Sequence, residues 1–411
     1  MDLIQNIKDD NSTLQRLAEQ TLTLHVSKRS RRIPDFQKIR SGAASVFESL
    51  QNALHVSCTL THKASIHLGH IADPKQGDSS GDALSLSFRI VLHHEIVNPK
   101  QVAPAWSVEE AEIRTMQINP QLQSHAQVQP VASLSLHKKK RHVGFQVPGS
   151  SVQGSPASLL PPEILDLCES LHSMRSTKCG TCLGYLAGQS SDDRHGIFGP
   201  NERLIDSASL SVETLISLLE QPARPGCWTN ADARRLAVPL AAGVLRLHDT
   251  PWLSKTWENR QISIFRCNGR LLADHPFVST GLTSAHLPTS IVSDTSTAAR
   301  VIRNHTLFTL RIILIEMCMG KPMHELRKPG ELNADGTKHE LSDYQTATRL
   351  LDMEEVSDRF GQRWSNVARR CIYCDLNQAR TSFEDVGFQQ AVYNEVFAEL
   401  EEERRQFFQL E

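Results

Sequence analysis

Two Cys-x-x-Cys pairs have the most chemically specific spacing in this sequence. They are Cys179/Cys182 and Cys371/Cys374. Two such pairs can supply four thiolates to a tetrahedral zinc ion, and a single pair can act as a redox couple. The pairs are far apart in the chain, however, and the second falls in a predicted helix, where packing alone explains both cysteines. The sequence therefore favours structural cysteines and no metal or other cofactor, with zinc and redox chemistry as the alternatives.

A second candidate is the segment H-H-E-I-V-N at residues 93–98, which begins like the zinc-protease motif His-Glu-x-x-His. That motif places two histidines one helical turn apart, so that both bind the same zinc ion. Asn98 stands where the second histidine is needed, and the Gly-x-Ser-x-Gly motif of serine hydrolases does not occur in the sequence. Neither class of hydrolase is predicted.

Two tryptophans flank a lysine in the segment L-H-D-T-P-W-L-S-K-T-W. Trp252 and Trp257 could form an interaction surface, because indole rings stack on planar groups and on cations. Lys255 between them is a candidate for a nucleotide or ligand cleft. The alternative is that both indoles fill the edge of a core.

The basic run Lys138–Arg141 could be a nuclear localisation signal or could contact an anionic surface. Its alternative is the solvated flank of a strand. The formal net charge of the chain is −2, which provides no general attraction to nucleic acid or to membranes. We therefore expect a protein partner and no nucleic acid.

The composition is typical of a globular chain with two or three domains, or of one two-lobed domain: 411 residues, 39% hydrophobic and 22% charged. The first residues, M-D-L-I-Q-N-I-K-D-D, resemble neither a signal peptide nor a transit peptide. No apolar run reaches the roughly 20 residues that span a bilayer. Nine cysteines without a secretory signal indicate reduced thiols. These features predict an intracellular protein, cytoplasmic or nuclear, without a membrane span.

Hydrophobic periodicity divides the chain into three parts. Residues 1–55 are predicted as an N-terminal helical segment, residues 56–150 as a β-rich region with a flexible insertion at 98–130, and residues 151–411 as mainly helical. The expected fold class is α+β with two unequal lobes. The clearest helical stripe in the first part is Ile39, Ala43, Val46, Phe47, Leu50 and Leu54.

Strands are predicted where apolar residues alternate with a period of two. T-H-K-A-S-I-H-L and L-S-L-S-F-R-I-V-L show this alternation, and the turn-rich segment D-P-K-Q-G-D-S-S-G-D between them predicts a hairpin. C-L-G-Y-L-A is predicted as a further strand.

Capping residues mark the expected starts of two helices. Ser211 is a predicted cap for a helix with Leu215 on its apolar face, and Thr229 with Asp232 predicts a capping box for a longer helix. Pro239 lies inside the longer pattern, so a kink or a delayed start is expected there.

The apolar run from Thr306 to Pro322 predicts a buried central helix. Few polar residues interrupt it, among them Arg311 and Glu316, and a helix that is apolar nearly all round must be buried in a large domain. Gly320 is the expected left-handed stop.

The C-terminal half resembles the C-lobe of protein kinases in the order of its segments. R-R-L-A-V-P-L-A-A-G-V-L-R-L-H is similar to the long helix that ends in Leu-His, and the run from Thr306 to Pro322 is similar to the central helix. C-I-Y-C-D-L-N-Q-A-R-T-S is similar to a late helix followed by an Arg-Pro-Ser-like turn. This resemblance covers residues 179–400 and implies a kinase-like fold with a small β-containing N-lobe.

The residues that phosphoryl transfer needs are nearly all missing from this pattern. A kinase uses an Asp near the substrate hydroxyl, an Asn and a second Asp on the metal ions, and a Lys on the phosphates. Asn259 stands near the place of that Asn, and Asp274 is the nearest substitute for the metal-binding Asp. The His-Arg-Asp, Asp-Phe-Gly and Ala-Pro-Glu motifs and the Gly-rich loop do not occur. The resemblance implies a pseudokinase without catalytic residues, in which Lys255, Asn259 and Asp274 are candidates for a remnant cleft.

Four further segments occur together: A-L-H-V-S-C-T-L-T-H-K-A-S-I-H-L, L-H-D-T-P-W-L, G-K-P and R-R-C-I-Y-C-D-L. In combination they resemble an uncharacterised fungal domain family that often follows helical domains of the prion-inhibition-and-propagation type. That resemblance covers nearly the whole chain. It implies a signalling or self-recognition context and no defined activity.

We therefore expect a catalytically inactive interaction or regulatory module that works through the cleft near Pro251–Asn259. The first alternative is a divergent nucleotide-binding protein or slow phosphotransferase. The second is a nuclear factor that uses the basic run at 138–141.

Overall fold

The structure is a computed structural model. It describes residues 33–54, 62–71, 86–96, 105–117, 161–167, 170, 180–188, 193–205, 210–221, 228–254, 257–282 and 301–409.

The first described element is helix α1, Phe36–Asn52. Asp35 caps it, because its carboxylate accepts a hydrogen bond from the Lys38 amide at 3.0 Å. The stripe predicted from the sequence is buried at all six positions, which confirms a helix in the second half of the N-terminal segment. The stripe joins the main hydrophobic core.

In the described part of the chain, nine antiparallel strands form one sheet in the order β4-β5-β3-β2-β1-β9-β7-β6, with the short β8 paired to β7. The predicted hairpin is confirmed, because β1 pairs with β2 and aligns Ile66 with Ile90. The strands are β1 His62–Ile71, β2 Ser87–Ile96, β3 Ala105–Gln117, β4 Cys182–Ala187, β5 Asp193–Phe198, β6 Leu210–Thr214, β7 Ile262–Cys267, β8 Arg270–Leu271 and β9 Phe277–Leu282.

Strand β3 corrects the prediction of a flexible insertion at 98–130 for residues 105–117, and the rest of that range lies outside the described residues. Its inward positions are Glu109, Ala111 and Ile113, so only two of them are apolar and the alternation is hard to see in the sequence. Hydrogen bonds to β2 on one side and to β5 on the other hold it in place. The sheet also combines strands from both sides of residue 150, where the sequence suggested a boundary.

Helix α2, Leu215–Glu220, follows β6 directly, and Thr214 is its cap. Ser211, the predicted cap, lies within β6 instead. The strand continues for three more residues because β6 pairs with β7 as far as Thr214.

Helix α3, Asn230–Leu247, opens with the predicted capping box. Thr229 accepts a hydrogen bond from the Asp232 amide, and the Asp232 carboxylate accepts one from the Thr229 amide, each at 3.1 Å. Pro239 lies inside the helix. One side of α3 contacts β1, and other residues of the helix contact α1 and the C-terminal helices.

The C-terminal part is mostly helical, and its centre is α4, His305–Met319. Gly320 ends α4 in the left-handed conformation with φ +65°, as predicted. The remaining helices are α5 Met323–Leu326, α6 Ser342–Asp352, α7 Glu355–Phe360, α8 Gln362–Tyr373, α9 Val386–Val392, a π-helical turn at Tyr393–Phe397, and α10 Ala398–Gln409.

These elements make an α+β fold: an N-terminal helix, a nine-stranded sheet and a mainly helical C-terminal part. None of the helices in the described ranges is both long and apolar enough to cross a membrane.

The contact between α3 and β1 generates a stability prediction at Gly243. A Cβ atom there would lie 2.6 Å from Leu68 Cδ2, and Leu68 is itself buried. We expect Gly243→Val to lower the free energy of unfolding by about 2 kcal/mol through overpacking. Urea denaturation measures the change. Gly330→Val is the matched control, because no atom lies within 4 Å of the corresponding Cβ position. Equal effects of the two substitutions would contradict the close packing of α3 on the sheet.

Candidate functional site

Asn259, a candidate for the remnant cleft, lies in a short 3-10 turn before β7. Its side-chain Nδ2 donates to Glu316 Oε2 at 2.8 Å, and the Met323 amide donates to Glu316 Oε1 at 2.7 Å. Asn259 and Glu316 thereby connect the start of β7 to the end of α4 and the start of α5. The Asn259 amide is thus engaged in a contact within the protein.

Asp274 lies elsewhere. It is exposed in the turn between β8 and β9, and its carboxylate is 3.7 Å from Arg235 Nε of α3. The pairing of β7 with β9 aligns Ile262 with Val278, so Asn259 and Asp274 lie beyond opposite ends of this strand pair. The structure does not bring the two residues together.

Two other predicted elements lie outside the described residues. They are Lys255, the third candidate for the cleft, and the basic run Lys138–Arg141.

Both tryptophans of the predicted interaction surface are buried, and each indole is 1% exposed. Trp252 Nε1 donates to the Ala43 carbonyl at 2.7 Å, and its ring meets Phe47 edge-on at 5.1 Å between centroids. The structure thus corresponds to the alternative that the sequence left open, in which these rings belong to the core. Buried rings of this kind offer no stacking surface to a partner.

The cysteines of the second Cys-x-x-Cys pair are buried at the end of α8. Burial raises the pKa of the Cys371 thiol to about 12 and that of the Cys374 thiol to about 11. In the metal-free protein both thiols are therefore protonated at neutral pH, as expected for buried structural cysteines. Cys182 is half-buried in β4, and Cys179 is not among the described residues. Within the described ranges, no group of three or more His, Cys, Asp or Glu side chains is placed to hold a metal ion.

A cavity of about 970 Å³ lies on one face of the sheet. The other face carries Ala64, Ile66 and Leu68 of β1 into the main core, so the alternate residues of β1 face the cavity. We call it the sheet cavity. Most of its lining residues are polar or charged, although apolar atoms contribute much of the surface. The lining comprises Lys63, Ser65, His93, Val108, Glu109, Glu110, Arg203, Ile205, Ser211, Val212, Thr214, Arg260, Gln261, Ser263, Ser279, Thr280 and Gly281.

The floor of the sheet cavity is a row of four hydrogen-bonded side chains on four neighbouring strands, three serines and His93, which we call the serine row. Ser263 of β7 lies 2.7 Å from Ser279 of β9, measured between the hydroxyl oxygens. Ser279 lies 2.7 Å from Ser65 of β1, and Ser65 lies 3.1 Å from Nε2 of His93 of β2. The His93 ring stacks on Phe265, with 5.9 Å between centroids and 12° between planes.

The tautomer of His93 determines which group donates and which accepts in each hydrogen bond of the serine row. Each serine hydroxyl has one proton to donate. If His93 Nε2 carries no proton, every serine donates toward it, and Ser263 keeps lone pairs free to accept. If Nε2 carries the proton, the row reverses, and Ser263 can donate its own proton. The row can therefore present either polarity at its Ser263 end.

A buried ion pair holds one wall of the sheet cavity. Glu110 of β3 accepts from the amides of Leu204 and Ile205 at 3.0 and 3.4 Å, and Arg89 Nε lies 2.9 Å from its other oxygen. Burial raises the pKa of Glu110, while Arg89 and the two amides oppose that shift. Glu110 therefore fixes segment 203–205 beside the sheet, and its charge is balanced by Arg89.

The sequence gives little sign of this site. Lys63 and Ser65 occupy the polar positions of an alternating strand, which the sequence pattern assigns to solvent. Ser263 and Ser279 join them only through the pairing of β1 with β9, in which Ser65 and Ser279 are 214 residues apart, and no local pattern encodes that pairing. The one available signal is a polar strand face that carries hydroxyl and imidazole groups.

One protein-family model, described as a domain of unknown function (DUF7580), matches residues 35–407. The match runs from the cap of α1 into α10. No curated protein matches the sequence.

The pair of Glu316 and Asn259 leads to a pH prediction. Burial raises the pKa of Glu316 to about 7, although its two hydrogen bonds oppose that shift. An unfolded glutamate has a pKa of about 4.3, so between these values the folded state holds a proton that the unfolded state has released. Stability should therefore fall as pH rises from 5 to 8, by about 2–3 kcal/mol from this group.

Urea denaturation at pH 5 and at pH 8 tests this expectation. Glu316→Gln should remove most of the decrease. Glu325→Gln, on an exposed side chain paired with Lys321 at 3.9 Å, should leave the decrease intact. An unchanged pH dependence in Glu316→Gln would show that the decrease comes from other groups.

Proposed function

Because the chain belongs to the DUF7580 family, a domain of unknown function, we propose a function from its own residues: a catalytically inactive, kinase-like interaction or regulatory module. The kinase-like part of the proposal draws on the order of elements. Helix α3 ends at Leu247, β7 to β9 follow, and the apolar α4 comes next, in the order of the kinase C-lobe. His248 Nδ1 lies 2.9 Å from the Thr306 hydroxyl, so the Leu-His end of α3 contacts the start of α4.

The separation of Asn259 from Asp274 carries the inactive part of the proposal. Phosphoryl transfer depends on side chains that converge on metal ions and phosphates. Here the two candidate metal ligands lie beyond opposite ends of the β7–β9 pair, and each contacts another side chain. This arrangement favours a binding role over the alternative of a slow phosphotransferase.

We favour the sheet cavity as the working surface, in place of the cleft near Pro251–Asn259. Trp252 and Trp257 are core residues, whereas the sheet cavity presents polar side chains to solvent. A ligand held there would contact four strands at once, so its binding could alter the surface offered to a protein partner. The resemblance to the fungal family adds a signalling or self-recognition context to this proposal.

A thermal-shift experiment with Mg-ATP separates this proposal from the nucleotide-binding alternative. We expect millimolar Mg-ATP to leave the melting temperature of the wild-type protein unchanged. We also expect Asn259→Ala to lower stability without nucleotide by about 1–3 kcal/mol, because Glu316 Oε2 loses its buried donor. Asn366→Ala, on the exposed face of α8, is the control and should change little.

The outcome that contradicts the proposal is equally specific. It is a magnesium-dependent stabilisation by ATP in the wild type that disappears in Asn259→Ala, measured against the melting temperature of each nucleotide-free protein.

A further inference from the structure

We propose that the sheet cavity binds a small phosphorylated polyol, with its phosphate above Gly281 and its hydroxyl groups on the serine row. This inference rests on the proposed function, because it names the ligand of the same site. The volume of the sheet cavity, about 970 Å³, is at the upper end of the range of small-molecule pockets.

The phosphate position follows from the residues at one end of the sheet cavity. The β1–β9 register places Lys63 directly opposite Gly281, and Arg260 lies in the turn that leads into β7, on the other side of β9. A Cβ atom at Gly281 would have no atom within 4 Å, so the space above this glycine is open. Lys63 on β1 and Arg260 before β7 thus flank an open slot above Gly281.

The charges around the sheet cavity favour an anion. In its lining the carboxylate of Glu110 is balanced by Arg89 and is also attracted by Arg203, whereas Arg260 adds a further positive charge at the rim. Arg260 is exposed, and within the ranges that the structure describes its guanidinium takes part in no ion pair. A guanidinium group binds phosphate through two parallel hydrogen bonds, which makes Arg260 the primary phosphate contact.

The serine row suits the polyol part of the ligand. Ser279 is half-buried and lies two residues from Gly281 on the same strand face, so a group bound above Gly281 brings its neighbouring atoms over Ser279. A hydroxyl group both donates and accepts, and the row can present either polarity through the tautomer of His93. A ligand hydroxyl can therefore match the row in both states.

Isothermal titration calorimetry with glucose 6-phosphate tests the proposal on the full chain, in buffer with EDTA and without nucleotide. We expect binding of glucose 6-phosphate, weaker binding of inorganic phosphate and still weaker binding of glucose. Arg260→Gln should weaken the binding of glucose 6-phosphate by about tenfold or more. Gly281→Leu should abolish binding by filling the slot, and it leaves the charges unchanged.

Two further variants make the result specific. Ser279→Ala should weaken the binding of glucose 6-phosphate and leave the affinity for inorganic phosphate unchanged, because only the polyol part contacts the serine row. Arg270→Gln removes an exposed cation of β8 outside the sheet cavity and should change nothing. Circular dichroism confirms that each variant is folded.

The same chemistry occurs in the headgroup of an inositol phospholipid. A second arm therefore measures sedimentation with vesicles that contain phosphatidylinositol 4-phosphate, and binding that Gly281→Leu abolishes in either arm supports the proposal. Absence of binding in both arms would overturn it, as would binding that is equally strong in Arg260→Gln and Gly281→Leu. Neither of these outcomes changes the Mg-ATP result. Failure of the ligand proposal can therefore be distinguished from failure of the proposed function.

Discussion

Helix α3 lies between the sheet and the C-terminal helices, and it is buried along nearly its whole length. Four residues in its middle are small, namely Ala237, Ala241, Ala242 and Gly243, and the glycine lets Leu68 of β1 approach the backbone closely. Helix α3 also contacts α4. This double contact joins the layers into one hydrophobic core that also includes α1. A bulky residue on either side of α3 would push the sheet away from the C-terminal helices. The positions of β7 and α4, and with them the Asn259 contact, depend on the distance between these two layers.

Helix α4 shows how such a core accommodates charge. Arg311 is fully buried, and its guanidinium carbon lies 4.2 Å from the centre of the Phe308 ring and 5.9 Å from that of Tyr344. Burial lowers the pKa of Arg311 to about 9, and burial raises that of Glu316 on the same helix. The Arg311 guanidinium has no hydrogen-bond acceptor among the described residues and lies against aromatic rings instead. Glu316 anchors α4 to its neighbours, because it accepts hydrogen bonds from Asn259 and from the Met323 amide. Asn259, which resembles a catalytic residue by its position in the sequence, serves as such an anchor here.

The sequence predicts elements whose signals are local, and it misses those that depend on distant pairing. The stripe of α1, the capping box of α3 and the glycine stop of α4 lie within a few residues of what they control, and all three predictions are confirmed. The apolar residues of β3 do not alternate regularly with polar ones, and the strand is held by its neighbours on both sides. The sheet cavity was missed for the same reason. Its floor combines residues from four strands, and no local pattern shows that β1 lies beside β9.

The composition of the cavity floor is itself a physical argument for a ligand. The same face holds a small apolar cluster of Val91, Ile205, Phe265 and Phe277, so apolar side chains are compatible with this side of the sheet. Beside that cluster, Ser65, Ser263 and His93 are buried while Ser279 is half-buried, and the mutual hydrogen bonds of these side chains offset the cost of burial only in part. Apolar residues on the same strands would support the fold at least as well. A polar row that adds little to stability is best explained by what it can contact, and the open slot above Gly281 at its end gives a polar ligand direct access to it.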